Sequence, residues 1–125
     1  MSIGIGTDIV AISRIVSALE RQGPKFAARI LTTTELFLFQ QNTEPARYLA
    51  KRFAAKEAVL KALGTGLAQG MRWHDIEISR NDLGAPLVTL SGAALQRMQA
   101  LGGTRMLLSL SDEQDLAIAI ASLEN

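Results

Sequence analysis

Asp8, Glu57 and Lys61 are the residues of this chain whose types and spacing could do chemistry. Glu57 and Lys61 lie i,i+4 on one helix-like run, so their side chains are neighbours. Asp8 sits at the end of an apolar run, Ile3 to Val10. A carboxylate there needs a cation or hydrogen bonds; the competing reading is a cap for the helix that follows. Two carboxylates beside a lysine make a workable Mg2+–phosphate site, because Mg2+ takes a few carboxylates, waters and substrate phosphate oxygens. Lysine adds a point charge that neutralises phosphate. The reaction class would be transfer or hydrolysis at a phosphate ester, where positioning and charge neutralisation supply most of the catalysis. Spacing alone leaves open whether Asp8 meets Glu57.

The element that must position this group runs from Pro45 to Gly66. Good helix formers fill it, Pro45 suits a first helical position, and Gly64-Thr65-Gly66 suits a stop. At 100° per residue, Arg47, Lys51, Glu57 and Lys61 share a third of the circumference. Tyr48, Leu49, Phe53, Val59, Leu60 and Leu63 take the opposite side, which Arg52 and Lys56 interrupt. The plainer reading is a solvated charged face with two snorkelling cations.

The flanking chain reads as α+β. Ile3 to Val10 is a strand, with Ile3, Ile5 and Ile9 pointing one way and Gly4 and Gly6 marking close backbone approach. Ile12 to Gln22 is an amphipathic helix, broken at Gly23-Pro24, and Lys25 to Leu31 adds a further turn or two. Arg14, Arg21, Lys25 and Arg29 make a basic surface: either an ordinary solvated face or a dock for an acidic helix. Thr32 to Thr34 offer caps for a helix from Glu35 to Gln41. Trp73 to Arg80 and Pro86 to Leu90 read as a hairpin around Asn81-Asp82-Leu83-Gly84. Ser91 can cap a helix from Gly92 to Leu101. Thr104 to Leu110 and Leu116 to Leu123 are strands joined by an acidic connection, Ser111 to Asp115.

The 125 residues predict one domain, 1–125, and 48% hydrophobic content argues against disorder. There is no cysteine and one histidine, His74, so neither thiolate chemistry nor a histidine metal cluster is available. No apolar run is long enough to span a membrane and no signal-peptide pattern opens the chain, which predicts a cytoplasmic protein with no membrane partner. No phosphate loop precedes a helix; Gly64-Thr65-Gly66 follows one, and a phosphate there would rely on lysine and loop amides instead of the helix dipole. In residues 1–61, nine Lys/Arg against five Asp/Glu give +4; in 62–125, four against seven give −3. The basic half suits an anionic partner. Aromatic content of 5% and the acidic second half speak against nucleic acid.

Two motifs at this spacing carry a resemblance: Gly6-Thr7-Asp8-Ile9-Val10, and the run Arg52-Phe53-Ala54-Ala55-Lys56-Glu57-Ala58-Val59-Leu60-Lys61 with Gly64-Thr65-Gly66. With Asp82-Leu83-Gly84-Ala85-Pro86 and Ser109-Leu110-Ser111-Asp112-Glu113, the whole chain resembles the holo-[acyl-carrier-protein] synthases, small single-unit 4′-phosphopantetheinyl transferases. The resemblance implies that fold: a small antiparallel sheet packed against a long central helix and shorter helices. It implies transfer of 4′-phosphopantetheine from coenzyme A to a serine of an apo-acyl carrier protein, releasing adenosine 3′,5′-bisphosphate, in support of fatty acid biosynthesis. Asp8 and Glu57 would be the ligands of Mg2+, with Mn2+ as a possible substitute. Glu57, directly or through a metal-bound water, would take the serine proton. Lys61 would bind the pyrophosphate and stabilise the leaving group. Gly64, Thr65 and Gly66 would line the coenzyme A site, and Arg14, Arg21, Lys25 and Arg29 would face the carrier. The family's usual assembly, a homotrimer, offers Arg52 and Lys56 acidic partners across or beneath a subunit interface, such as the Asp112–Asp115 connection. Asp112 stands where many members have His beside the nucleotide, so Lys51 or Arg47 would supply the phosphate contact. The runner-up reading is a non-catalytic oligomeric module that binds acidic carrier proteins.

Overall fold

The computed structural model describes every residue, Met1–Asn125. Its centre is the helix α4, Pro45–Leu63, which ends as the sequence predicts: Gly64 takes a left-handed conformation (φ 80°), and its N–H bonds to the carbonyls of Leu60 and Lys61. Before it come β1 (Ser2–Ala11), α1 (Ile12–Gln22), α2 (Pro24–Ile30) and α3 (Thr33–Gln41). After it come a hairpin of β2 (Ile76–Arg80) and β3 (Pro86–Leu90), then α5 (Gly92–Ala100), and a second hairpin of β4 (Arg105–Glu113) and β5 (Leu116–Glu124). The architecture is α+β, and its antiparallel strands form two sheets, β1-β5-β4 and β2-β3.

The three-stranded sheet lays one face on α4. Gly4, Gly6, Asp8 and Val10 of β1 share that face with Ala117, Ala119, Ala121 and Leu123 of β5, through pairs such as Asp8 with Ala119 and Gly6 with Ala121. The approach is too close for side chains. A Cβ on Gly6 would lie 2.0 Å from the Ala58 carbonyl oxygen, and one on Gly4 would lie 2.3 Å from that of Ala62. Both clashes are with backbone, so neither is relieved by a rotamer change. The alanines of α4 (Ala54, Ala55, Ala58, Ala62) are buried and form the helix side of this seam.

Three local expectations change. Trp73–Asp75 is a turn of 3-10 helix, not the start of a strand; the Asp75 carboxylate accepts from the Arg72 N–H at 3.2 Å, which holds the turn. The Ser111 to Glu113 part of the acidic connection belongs to β4, paired in register with Leu116 to Ile118 of β5. The true turn is Gln114-Asp115, with Gln114 at φ 47°. Ser91 precedes α5 but forms no side-chain cap. Thr32 does cap α3, in a reciprocal box with Glu35.

Candidate active site

Strand alternation decides where Asp8 points. Every second residue of β1 faces α4, and Asp8 is the one polar side chain in that series. It is not the cap of α1, whose N-cap is Ala11. Asp8 instead meets Lys61, whose Nζ donates to Asp8 Oδ1 at 3.2 Å and to the Thr7 carbonyl at 2.9 Å. Lys61 is half exposed (51%), whereas Asp8 retains only 15%. One turn back, Glu57 is partly buried. Desolvation pushes its pKa up, the Asp8 charge pushes it further, and Lys61 opposes both. The sheet and the helix therefore bring Asp8, Glu57 and Lys61 together, which spacing alone left open.

This donor set suits a hard divalent cation. No group of three or more His, Cys, Asp and Glu side chains gathers anywhere in the chain. Two carboxylates leave most of a cation's ligand sphere to waters and substrate phosphate oxygens, the arrangement that Mg2+ favours.

The loop after α4 is open. Gly64 and Gly66 are exposed with positive φ (80° and 57°), and a Cβ on Gly66 would touch nothing. Their backbone is accessible to a ligand. Arg97 of α5 donates from Nε to the Leu63 carbonyl at 3.0 Å, satisfying one of the carbonyls left over at the helix end.

Arg47 and Lys51 converge on Asp112. Arg47 Nη1 reaches Asp112 Oδ2 at 2.8 Å, Lys51 Nζ reaches Oδ1 at 3.3 Å, and Arg47 Nη2 donates to the Gln114 carbonyl at 2.5 Å. Register explains the meeting, because Asp112 pairs with Ala117 on the helix-facing side of the sheet. The two cations hold the Asp112 carboxyl below the usual range, Arg47 foremost through its hydrogen bond. Beside them a cleft of about 140 Å³ is lined by Asn42, Glu44, Arg47, Tyr48, Lys51, Arg52 and Arg80.

Lys56 is not free to pair across a subunit interface. Lys56 is fully buried, and its ammonium donates to Glu35 Oε1 at 2.6 Å, the Ile30 carbonyl at 2.7 Å and the Trp73 carbonyl at 3.3 Å. Three protons meet three acceptors, so no partner is left to seek. Glu35 is completed by the N–H groups of Thr32 and Ile78. Burial lowers the Lys56 pKa, and Glu35 counteracts it. Arg52 is 3% exposed and lies over the Tyr48 ring, 4.6 Å from its centroid. Its Nε and the Tyr48 hydroxyl are buried without hydrogen-bond partners, and both residues line the cleft beside Lys51. Asn42, Glu44, Tyr48, Arg52 and Arg80 are the cleft residues to which sequence reading assigned no ligand contact. The signal for Arg52 was present: a cation on the apolar side of a helix.

Arg14, Arg21, Lys25 and Arg29 are all exposed on α1 and α2. Arg14 and Arg21 rim a groove of about 350 Å³ whose apolar lining includes Ile15, Ala18, Phe26 and Phe53. None of the four lines the cleft beside Arg47 and Lys51.

Comparison with known proteins places the whole chain in one family. The family model described as the 4′-phosphopantetheinyl transferase superfamily matches residues 4–121. A holo-[acyl-carrier-protein] synthase of Shewanella amazonensis is 54% identical over 121 residues, covering 97% of each chain. The crystal structure of holo-[acyl-carrier-protein] synthase from Neisseria meningitidis superposes with a TM-score of 0.92 at 44% identity, covering 100% of both chains. The Helicobacter pylori holo-[acyl-carrier-protein] synthase in complex with coenzyme A superposes at 0.83 and 34% identity, covering 96% of this chain and 99% of that one. The chain belongs to the 4′-phosphopantetheinyl transferase superfamily, among its holo-[acyl-carrier-protein] synthases.

Proposed function

We propose that this chain transfers 4′-phosphopantetheine from coenzyme A to a serine of an apo-acyl carrier protein, leaving adenosine 3′,5′-bisphosphate. The observation that carries the reading is the convergence of Asp8, Glu57 and Lys61 across the β1–α4 seam. Asp8 and Glu57 would hold Mg2+, or Mn2+ in its place, which when bound neutralises the coenzyme A pyrophosphate. Glu57, partly desolvated and with a raised pKa, is the group suited to accept the serine proton. Lys61 has one N–H left after Thr7 and Asp8, and its half-exposed ammonium faces solvent where a leaving phosphate would gather charge. Gly64, Thr65 and Gly66 offer backbone to the donor. Arg47 and Lys51, with the orphaned Arg52 Nε behind them, make a second cationic place for a nucleotide phosphate. The rim of Arg14 and Arg21, extended by Lys25 and Arg29, suits the acidic surface of a carrier.

Self-association belongs to the same proposal. The outer face of the three-stranded sheet is apolar where a wet sheet face is ordinarily polar. Ile5 (71% exposed), Ile9, Leu107, Ile118 and Ile120 lie open on it. A patch of this kind marks an interaction surface, and a homotrimer of a cytoplasmic enzyme serving fatty acid biosynthesis would cover it. No helix is long and apolar enough to cross a membrane.

The test is a mixture of apo-carrier protein, coenzyme A and Mg2+, read by mass spectrometry of the carrier. Gain of the phosphopantetheine mass is the expected result. Complex formation with no mass gain would overturn the reading in favour of a module that only binds carriers.

A further inference from the structure

Arg97 brings a positive charge from α5 to the end of α4. Ala94 and Met98 are the buried residues of α5. Arg97 follows the first by three positions and adjoins the second, so it lies half-buried at the edge of that face. Its Nε donates to the Leu63 carbonyl at 3.0 Å. Its Nη2 lies 3.7 Å from where a Gly64 side chain would begin. The guanidinium makes no other hydrogen bond, and no carboxylate pairs with it. An uncompensated charge therefore sits where the helix dipole is negative.

The turn after α4 has donors to spare. The Gly64 N–H bonds to the carbonyls of Leu60 and Lys61, but the N–H groups of Thr65 and Gly66 donate to no acceptor in the chain. Successive free N–H groups in a turn of this kind can accept an anion. Without help they would do so poorly, because the carbonyl end of a 19-residue helix repels phosphate. A guanidinium bonded to the last carbonyl of that helix offsets the repulsion. It also fixes the peptide from which the turn departs. A helix cap would need only the bond from Nε; the two Nη atoms, with no protein acceptor, carry donors that a cap does not use.

We infer that Arg97 is a positioning residue for the donor substrate: it holds the Leu63 carbonyl, presents the free N–H groups of Thr65 and Gly66, and makes this helix end acceptable to a phosphate-bearing donor. The inference rests on the proposed function, since it takes the Gly64-Thr65-Gly66 turn as a wall of the coenzyme A site. It assigns α5, which carries none of Asp8, Glu57 and Lys61, a part in donor binding and none in carrier docking.

The experiment measures carrier modification by mass spectrometry, with Mg2+, for the wild-type chain, Arg97→Leu, Arg97→Gln and Arg97→Lys. Coenzyme A is varied at saturating carrier, and carrier at saturating coenzyme A. In Arg97→Leu the KM for coenzyme A should rise about two- to fivefold, the range for one charge at a helix terminus, with kcat and the KM for the carrier unchanged. Arg97→Gln removes the same charge and reads the same quantity if the leucine variant does not fold. Arg97→Lys, which keeps the charge, should lie closer to wild type than either. A coenzyme A KM that stays at the wild-type value in a folded, uncharged variant overturns the inference. So does a rise shared equally by the two substrates, which is the signature of a lost helix cap that loosens the whole site, and so does a lysine variant as weak as the leucine one. Absence of transfer by the wild-type chain would overturn the proposed function instead, which keeps the two failures distinct.

Discussion

Lys56 and Lys61 stand five residues apart on one helix, and each pairs with a carboxylate, yet they do opposite jobs. Lys56 is fully buried, 2.6 Å from Glu35, and its three protons are used up by α2, α3 and the turn at Trp73. Lys61 is half exposed, 3.2 Å from Asp8, and its second bond is to a strand carbonyl. A saturated, buried pair fixes the angle at which α4 meets its neighbours. An open, under-coordinated pair is available to a ligand. The adjacent residues Lys56 and Glu57 share this division, since pinning Lys56 also sets the direction of Glu57, about 100° further round the helix.

The largest effect that would sharpen this comparison is on stability. Lys56→Met strands the Glu35 carboxylate beneath α4, and breaking a buried pair from one side costs about 3–5 kcal/mol. Chemical denaturation measures it. A loss below about 1 kcal/mol, the value of a surface pair, would erase the distinction between the two lysines. Gly6→Ala comes next. Its Cβ would collide with the backbone of Ala58 and Ala62, and overpacking of this kind costs about 1–3 kcal/mol. β1 can yield only by backing away from α4, which carries Asp8 from Lys61, so transfer should fall more steeply than stability. Equal losses in the two would mean that the seam does not position the site. Arg14→Glu should raise the apparent KM for the carrier and slow association without changing stability; an unchanged carrier dependence would remove α1 from the docking surface.

The smallest effects are in pH dependence, and they run in opposite directions. Asp112 has a depressed pKa, so its contribution is present above the ordinary carboxylate value and is lost as pH falls through its lower folded value. Glu57 has a raised pKa, so the folded chain binds its proton more tightly than the unfolded one. Its charge disfavours folding, and that penalty develops as pH rises from the ordinary value through the raised one. Glu57→Gln should therefore leave stability at neutral pH equal or slightly higher, whereas Asp112→Asn should lower it slightly. Thermal unfolding at neutral and acidic pH distinguishes the signs. A loss of stability in Glu57→Gln would contradict the assignment of Glu57 as a desolvated, uncompensated carboxylate.

The sequence made α4 and the shared face of Glu57 and Lys61 legible, because helical periodicity and a Pro-to-Gly frame are local signals. Asp8 was legible as a polar residue in an apolar strand, though only the packing of β1 on α4 chose lysine contact over helix capping. The Lys56–Glu35 pair was hidden by distance: 21 residues separate its members, and nothing local matches a cation on one helix to an acid at the start of another. Ser111 to Glu113 resembled a loop in composition, but ladder bonds with β5 and the two cations on α4 satisfy that polar segment as strand. The turn at Trp73 to Asp75 was misread for a related reason. Alternation fitted a strand, while the Asp75 side chain closed a tight turn on its own backbone.

The central claim, that Asp8, Glu57 and Lys61 form the reacting centre, is tested most directly by Glu57→Gln in the carrier-modification assay with coenzyme A and Mg2+. Loss of a positioned base should slow the appearance of phosphopantetheinylated carrier by about 10²-fold or more, with the folded chain intact by circular dichroism. Transfer at near the wild-type rate from a folded Glu57→Gln chain would contradict it.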